Sequence, residues 1–322
     1  MRISKEKLRS EAETTGFRPA VLEKVIHLLN LLEGFRSHPF LNGRLALKGG
    51  TALNLFVFDA PRLSVDIDLN YVGAIDRETM LAERPKVEQA IQAVCAREGF
   101  ALQRLPDDHA GGKWVLRYES ALGQGGNLEL DLNFMFRIPL WDVVVQDSRM
   151  VGSYRAAQIP VLELHELAVG KLAALLARRA SRDLFDAHEL LTQRKLDPDR
   201  LRAAFVLYGA MNRKDWRTIS VNDLSFEANE LKNQLLPTFQ NNDAGAIGQP
   251  DAWARRLLDE CRSALGVVLP LSDAEREFLD RLLDHGEIVP SMLTADAIWA
   301  ERIKQHPLLE WKALNVRQHA KR

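Results

Sequence analysis

The sequence predicts an α/β chain of the α+β kind: a mixed sheet with helices in the N-terminal half, followed by a mostly helical C-terminal region. Three observations carry this reading. Two segments, SVDIDLNYV (64–72) and NLELDLNFMFR (127–137), alternate apolar and polar residues with the period of two that half-buried strands require. Beyond about residue 160 the alternation gives way to apolar residues at helical intervals. A chain of 322 residues that is 46% hydrophobic and 27% charged has an ordinary globular composition and is long enough for two domains, placed at 1–155 and 156–322.

In chain order, residues 19–34 (PAVLEKVIHLLNLLEG) space apolar side chains as an amphipathic helix does and stop at a glycine. RLALK (44–48) is a short strand ending in Gly49-Gly50, after which 51–58 restarts as a helix that Thr51 can cap. The strand 64–72 follows. The next helix spans 77–98, with Pro85 either kinking it or marking its true start near 86. KWVLRYES (113–120) and 127–137 are strands joined by the turn ALGQGG. Helices are then expected at 161–179, 181–194, 198–209, 251–265, 272–285 and 291–305, with 238–251 (TFQNNDAGAIGQPD) as a loop.

Composition narrows the function classes. Lys and Arg (43) balance Asp and Glu (44), so no global positive field marks nucleic acid or an anionic membrane as partner. Cys95 and Cys261 are far apart and form no CxxC, which points away from a disulfide framework or structural zinc and toward a reducing, cytoplasmic setting. The charged start MRISKEKLRSEAE does not read as a signal peptide, and no run of about 18 apolar residues reads as a membrane span. There is no GxSxG and no HExxH, and the eight histidines form no ligand cluster; His165 and His188 read as helix-surface or packing residues.

The informative residues are carboxylates. In 64–72, Val65, Ile67 and Leu69 share one strand face while Ser64, Asp66, Asp68 and Asn70 share the other, with the two aspartates about 7 Å apart at ~3.3 Å per residue. A DxD alone reads as a solvated acidic face, although aspartate is depleted in strands. The second strand repeats the pattern, with Glu129, Asp131 and Asn133 opposite Leu128, Leu130 and Leu132. Carboxylates gathered at one site repel each other unless cations neutralise them, and Mg2+ or Mn2+ favours such oxygen donors. Asp66, Asp68 and Asp131 are the expected ligands, with Glu129 the weaker alternative. Upstream, LKGGTALNLF (47–56) sets two glycines directly after a strand and before a helix, a place for backbone N–H groups to meet an anion; it is neither a Walker P-loop nor a Rossmann fingerprint.

LKGGTALNLFVFDAPRLSVDIDLNYVG resembles the first signature of the AbiEii/AbiGii family of bacterial nucleotidyltransferase toxins, within the DNA polymerase β nucleotidyltransferase superfamily, through Gly49, Gly50, Thr51, Arg62, Ser64, Asp66 and Asp68. Asp131 in LELDLNF resembles the third metal carboxylate, and KLAALLARRASRDLFDAHEL (171–190) a further motif, through Lys171, Arg178, Arg182, Asp183 and Asp186; Ala187 and His188 depart from it. The resemblance covers about 40–195 and implies a polymerase-β-type mixed sheet. It also implies an enzyme that moves an NMP from an NTP to an RNA hydroxyl, most plausibly the tRNA 3′ end, and so blocks translation. Asp66, Asp68, Asp131, Lys171 and Asp183 would be catalytic. Lys48, Gly49, Gly50, Thr51, Ser64, Arg178, Arg182 and Asp186 would meet the nucleotide, and an AbiEi-like antitoxin and a role in phage defence are implied with them.

On the residues alone, 171–190 also reads as a helix laced with surface pairs, Arg179–Asp183 and Arg182–Asp186. Local basic excesses, 11 Lys/Arg against 6 Asp/Glu in 171–217 and 6 against 2 in 301–322, could serve a phosphate backbone or be solvated helix faces. The six tryptophans read as core or interface residues. A phosphate on Ser64 would add about two negative charges beside the carboxylates and inactivate the site. Two other readings stay open: an AMP-transferring modifier of a protein hydroxyl, and an idle nucleotide pocket that serves protein binding.

Overall fold

A computed structural model describes residues 3–59, 62–104, 110–178 and 180–319. The chain divides into two compact units. Met1–Arg137, Val143–Leu162 and Leu235–Gly248 form the first; Ile138–Asp142, Glu163–Gln234 and Gln249–Arg322 form the second.

The first unit is built on a mixed seven-stranded sheet. Its elements are α1 (Lys5–Thr15), α2 (Pro19–Ser37), β1 (Leu45–Lys48), α3 (Gly49–Ala52), β2 (Asp66–Tyr71), α4 (Arg77–Arg97), β3 (Ala101–Arg104), β4 (Gly111–Glu119), β5 (Gly125–Asn133), β6 (Val144–Gln146) and β7 (Ile159–Val161). The strand order is β3-β4-β5-β2-β1-β7-β6, with β2–β5 and β1–β7 parallel and the other pairs antiparallel. Strand alternation sends Ile67 and Leu69 of β2, Trp114 and Leu116 of β4, and Leu128, Leu130 and Leu132 of β5 to the same side, where all are buried. Helix α2 packs on β5 and β7, and α4 on α2 and β3. Each large side chain buried on this face contributes ~1.5–3 kcal/mol to the unit's cohesion.

Several elements differ from the sequence expectation for definite physical reasons. Helix α4 keeps the expected 77–98 span almost unchanged, and only the alternative start near 86 is ruled out. It starts at Arg77, because Asp76 caps it by accepting from the Thr79 N–H at 2.8 Å; Pro85 sits inside the helix, and the carbonyl of Leu81 that it leaves unbonded belongs to an exposed residue. Thr51 is not a cap. The helix begins at Gly49, runs on as a π-turn over Leu53–Val57, and buries Thr51, whose hydroxyl donates to the Asp66 carbonyl and fastens α3 to β2. Segment 238–251 is not a bare loop. It holds a short helix, Asn241–Ala246, and lies along the first unit: Phe239 bridges Arg62, the Leu63 N–H donates to the Thr238 carbonyl, and the Asn241 N–H donates to the Gly16 carbonyl. The short strands β3, β6 and β7 have too few residues to show a period, and helix α1 has too few apolar residues, with only Leu8 and Ala12 buried.

The second unit is helical: α5 (Leu164–Ala177), α6 (Ser181–Gln193), α7 (Pro198–Met211) and helices over Pro250–Ala264, Asp273–His285, Ala297–Lys304 and Pro307–His319. The expected 291–305 helix is shorter, since Asp296 caps a helix that starts only at Ala297. His165 is an interior tie. The His165 Nε2 accepts from the Asp197 N–H at 2.8 Å, joining the start of α5 to the cap of α7. Trp114 and Trp216 are core residues, as expected, and Trp299 stacks on Trp141 at 5.6 Å; Trp311, at 57% exposure, is not. No helix among the described residues is long and apolar enough to cross a membrane.

Glu166 lies 2% exposed on α5, accepting from the Leu140 N–H at 2.9 Å and the Tyr208 hydroxyl at 3.1 Å. Burial pushes its carboxyl up to about 7 despite those bonds. A carboxyl raised in the fold contributes stability that is fully present below its ordinary 4.5 and lost as the pH rises through 7. Glu166→Gln removes the ionisation while Tyr208 can turn to accept from the amide. Thermal melts from pH 5 to 8 are expected to lose part of their downward slope in this variant; an unchanged slope would assign that slope to other groups.

Candidate active site on the acidic face of the sheet

The face of the sheet opposite the α2 layer carries the acids. In the parallel β2–β5 register Asp66 stands beside Glu129, Asp68 beside Asp131 and Asn70 beside Asn133. Neighbouring strands are about 4.8 Å apart, so the predicted side-by-side placement of Asp66, Asp68 and Asp131 on one face is what the pairing produces. Among the described residues, no three His, Cys, Asp or Glu groups are already gathered tightly enough to hold an ion.

The glycine turn explains how close the carboxylates come to the backbone. Lys48 pairs with Asp68 across β1–β2, and Gly49 follows at φ +72, in the left-handed region. A Cβ on Gly49 would lie 2.2 Å from Asp68 Oδ2, and one on Gly50 would lie 2.9 Å from Ser64 Oγ. In this structure the space above the glycines therefore holds a carboxylate and a hydroxyl. Ser64 is 8% exposed, so a phosphate there would require the turn to open. Arg62 is buried behind the turn, donating to the Leu63 carbonyl at 3.1 Å, and Arg149, pushed down in pKa by burial, donates to the Arg62 carbonyl at 3.1 Å. Lys48 leans on Phe136, its Nζ 5.8 Å from the ring centroid.

Three residues on this face or beside the turn carried no signal strong enough to single them out. Lys113 on β4 is directly opposite Asp131 in register, yet its Nζ bonds Glu129 Oε2 at 2.6 Å, and that bond pushes its pKa up. Arg149 lies 87 residues from Arg62 in sequence. Asn70, fully buried two residues past Asp68, has neither amide atom hydrogen-bonded. A buried amide without partners is costly, and it sits on the side where a polar ligand or its water would be met. The all-oxygen donor set, the glycine cradle against Asp68 and this amide fit a hard divalent cation.

In the second unit the 171–190 motif takes a different form from surface pairing. The chain breaks after Ala177, with Arg178 extended, and α6 starts at Ser181; Arg179 lies outside the described residues. Lys171, 8% exposed, bonds Asp183 at 2.8 Å and Asp186 at 3.0 Å, and Arg178 adds 2.6 Å to Asp183 from the rim. Burial raises the Asp183 carboxyl, but Lys171 and Arg178 outweigh it and hold it at about 2. Arg182 donates to Gln234 at 3.1 Å. A cavity of about 630 Å³ opens beside Arg178, lined by Asn229, Glu230, Asn233 and Gln234 among others. His188 is buried rather than on the surface. Its bond to Glu189 and a 2.5 Å bond to Glu260 raise its pKa and tie α6 to the helix Pro250–Ala264. Much of the local basic excess is consumed internally: Arg217 pairs with Asp215, Asp280 and Asp284, Arg202 with Glu275, and Lys214 with Asp223.

A mixed sheet with a DxD strand, a third aspartate on its parallel neighbour and a strand–GG–helix turn beside them is the arrangement that the motif resemblance implies for a nucleotidyltransferase. The family model described as "Nucleotidyl transferase AbiEii toxin, Type IV TA system" matches residues 30–264, and the chain belongs to that family. Among solved structures, the nucleotidyltransferase toxin MenT4 from Mycobacterium tuberculosis H37Rv aligns over 96% of this chain and 98% of its own, with a TM-score of 0.55 and 16% identity, a likeness of fold. No curated protein matches the sequence.

Two substitutions test these environments. Gly49→Ala combines left-handed strain with displacement of Asp68, and nucleotidyl transfer is expected to fall about 100-fold, as a misplacement of about 1 Å can do; unchanged transfer would show that the turn does not set the carboxylate. Asp183→Asn removes the carboxylate that Lys171 and Arg178 share while Asp186 still pairs with Lys171, and urea unfolding should report a loss of about 1.5–3 kcal/mol. Since the Asp183 pKa is depressed in the fold, its contribution is present above the ordinary 3.8 and disappears as the pH falls through about 2.

Proposed function

We propose that this chain transfers a nucleoside monophosphate from an NTP to an RNA hydroxyl, most plausibly at the tRNA 3′ end, as the toxin of a type IV pair with an AbiEi-like antitoxin in the cytoplasm. Family membership supplies nucleotidyl transfer and the toxin class. The observation that carries the catalytic assignment is the register that sets Asp68 beside Asp131 and Asp66 two pairs earlier, on the same face. The RNA acceptor and a role in phage defence rest on the resemblance of the motifs.

Asp66, Asp68 and Asp131 would hold Mg2+ or Mn2+, which when bound supplies charge neutralisation at the α-phosphate and the leaving pyrophosphate. The acceptor oxygen forms a bond to the α-phosphorus, the α–β bridging bond breaks, and pyrophosphate departs. Asp131, which no described side chain hydrogen-bonds, is available to take the acceptor's proton. Lys48 and the backbone at Gly49, Gly50 and Thr51 would meet phosphate oxygens, with Ser64 beside them. The motif resemblance assigns Lys171 and Asp183 to catalysis, and Arg178, Arg182 and Asp186 to the nucleotide. The buried Lys171–Asp183 pair gives the lysine a fixed position, which is useful to a phosphate ligand.

The test is incubation with total RNA and each NTP labelled at the α- or the γ-phosphate. Label is expected on tRNA from the α position only, and is expected to vanish in Asp66→Ala while that variant stays folded. Transfer from the γ position would make the enzyme a kinase, and label confined to protein would favour the AMP-transferring modifier.

A further inference from the structure

Four carboxylates occupy the acidic face, Asp66, Asp68, Glu129 and Asp131, but the proposed chemistry uses three. Lys113 enters this face from β4. Direct cross-strand partners are the nearest neighbours in a sheet, and diagonal ones stand about 7–8 Å apart. Asp131 is the direct partner of Lys113 and Glu129 the diagonal one, since Glu129 is paired with Val115. The ammonium nevertheless bonds Glu129, at 2.6 Å, while Asp66 and Asp131 act on its charge from nearby. An ordinary surface pair would gain as much by taking the aspartate across from it.

From this arrangement, which rests on the metal reading above, we infer that Lys113 is a positioning residue: it holds Glu129 out of the ligand set and so leaves Asp131 as the β5 carboxylate that meets the divalent cation. Glu129, two residues before the ligand on the same strand face and beside Asp66, is otherwise a competing donor. Its capture by Lys113 keeps the site at three carboxylates, and the ammonium offsets part of the repulsion among them before the cation arrives. A site of three carboxylates binds the cation less tightly than one of four and leaves coordination positions for the phosphates of the nucleotide.

The experiment is Mn2+ titration of the nucleotide-free protein, read by electron paramagnetic resonance, on wild type, Asp66→Asn, Lys113→Met, Glu129→Gln and the double variant Lys113→Met/Glu129→Gln. Lys113 is exposed, so its variants should fold, and circular dichroism checks this. Wild type is expected to bind Mn2+ through Asp66. Lys113→Met should bind about ten-fold more tightly, Glu129→Gln should resemble wild type, and adding Glu129→Gln to Lys113→Met should abolish the gain. Equal affinity in wild type and Lys113→Met, or a gain that survives in the double variant, overturns the role of Lys113 while the metal site stands. Wild-type binding that is absent or indifferent to Asp66→Asn overturns the metal reading and this inference with it.

Discussion

The parallel pairing of β2 with β5 is the constraint on which the rest of the site depends. A slip of one residue in this pairing would turn Asp131 toward the α2 layer and Leu130 or Leu132 toward the acids, because strand side chains alternate with a period of two. The register is protected from both directions. Ile67, Leu69, Leu128, Leu130 and Leu132 are all buried on the helix side, so the cost of a slip is the exposure of a whole apolar row. The acids therefore keep their positions through the hydrophobic packing of the opposite face, and the repulsion among them is borne by that packing.

The turn at Gly49 and Gly50 translates this register into a close approach. Thr51 binds α3 to the carbonyl of Asp66, Thr238 accepts from Leu63, and Phe239 bridges Arg62, so the segment leading into the DxD strand is held at three successive points. In the second unit, charge is treated differently. Lys171 and Asp183 are buried and paired, and a buried pair adds positional definition more than stability. The two units thus offer two electrostatic environments, one with carboxylates in partial excess and one with its lysine compensated.

The sequence made much of this legible where a period was long enough to read. The alternation in 64–72 and 127–137 identified the strands and the residues on their acidic face, because nine or more residues fix a period. It could not show that β2 and β5 are neighbours, a fact of topology. Nor could it show that Lys113 takes Glu129, since a lysine in KWVLRYES looks like any solvated strand residue. Segment 238–251 misled because Asn, Asp and Gly mark turns, whereas its anchoring depends on Thr238 and Phe239 meeting a chain stretch some 175 residues earlier. The 171–190 motif was recognisable by its charges, but the break at Arg178 that buries Lys171 between two aspartates leaves no periodic trace.

The central claim is that Asp66, Asp68 and Asp131 act as one ligand set. Anomalous diffraction from crystals grown with Mn2+ and a non-hydrolysable NTP analogue tests it most directly. The account predicts anomalous peaks within roughly 2.0–2.3 Å of oxygens from these three carboxylates, as hard-cation coordination requires, with Glu129 still on Lys113. A peak coordinated by Glu129 in place of Asp131, or an analogue bound with no peak on this face, would contradict it.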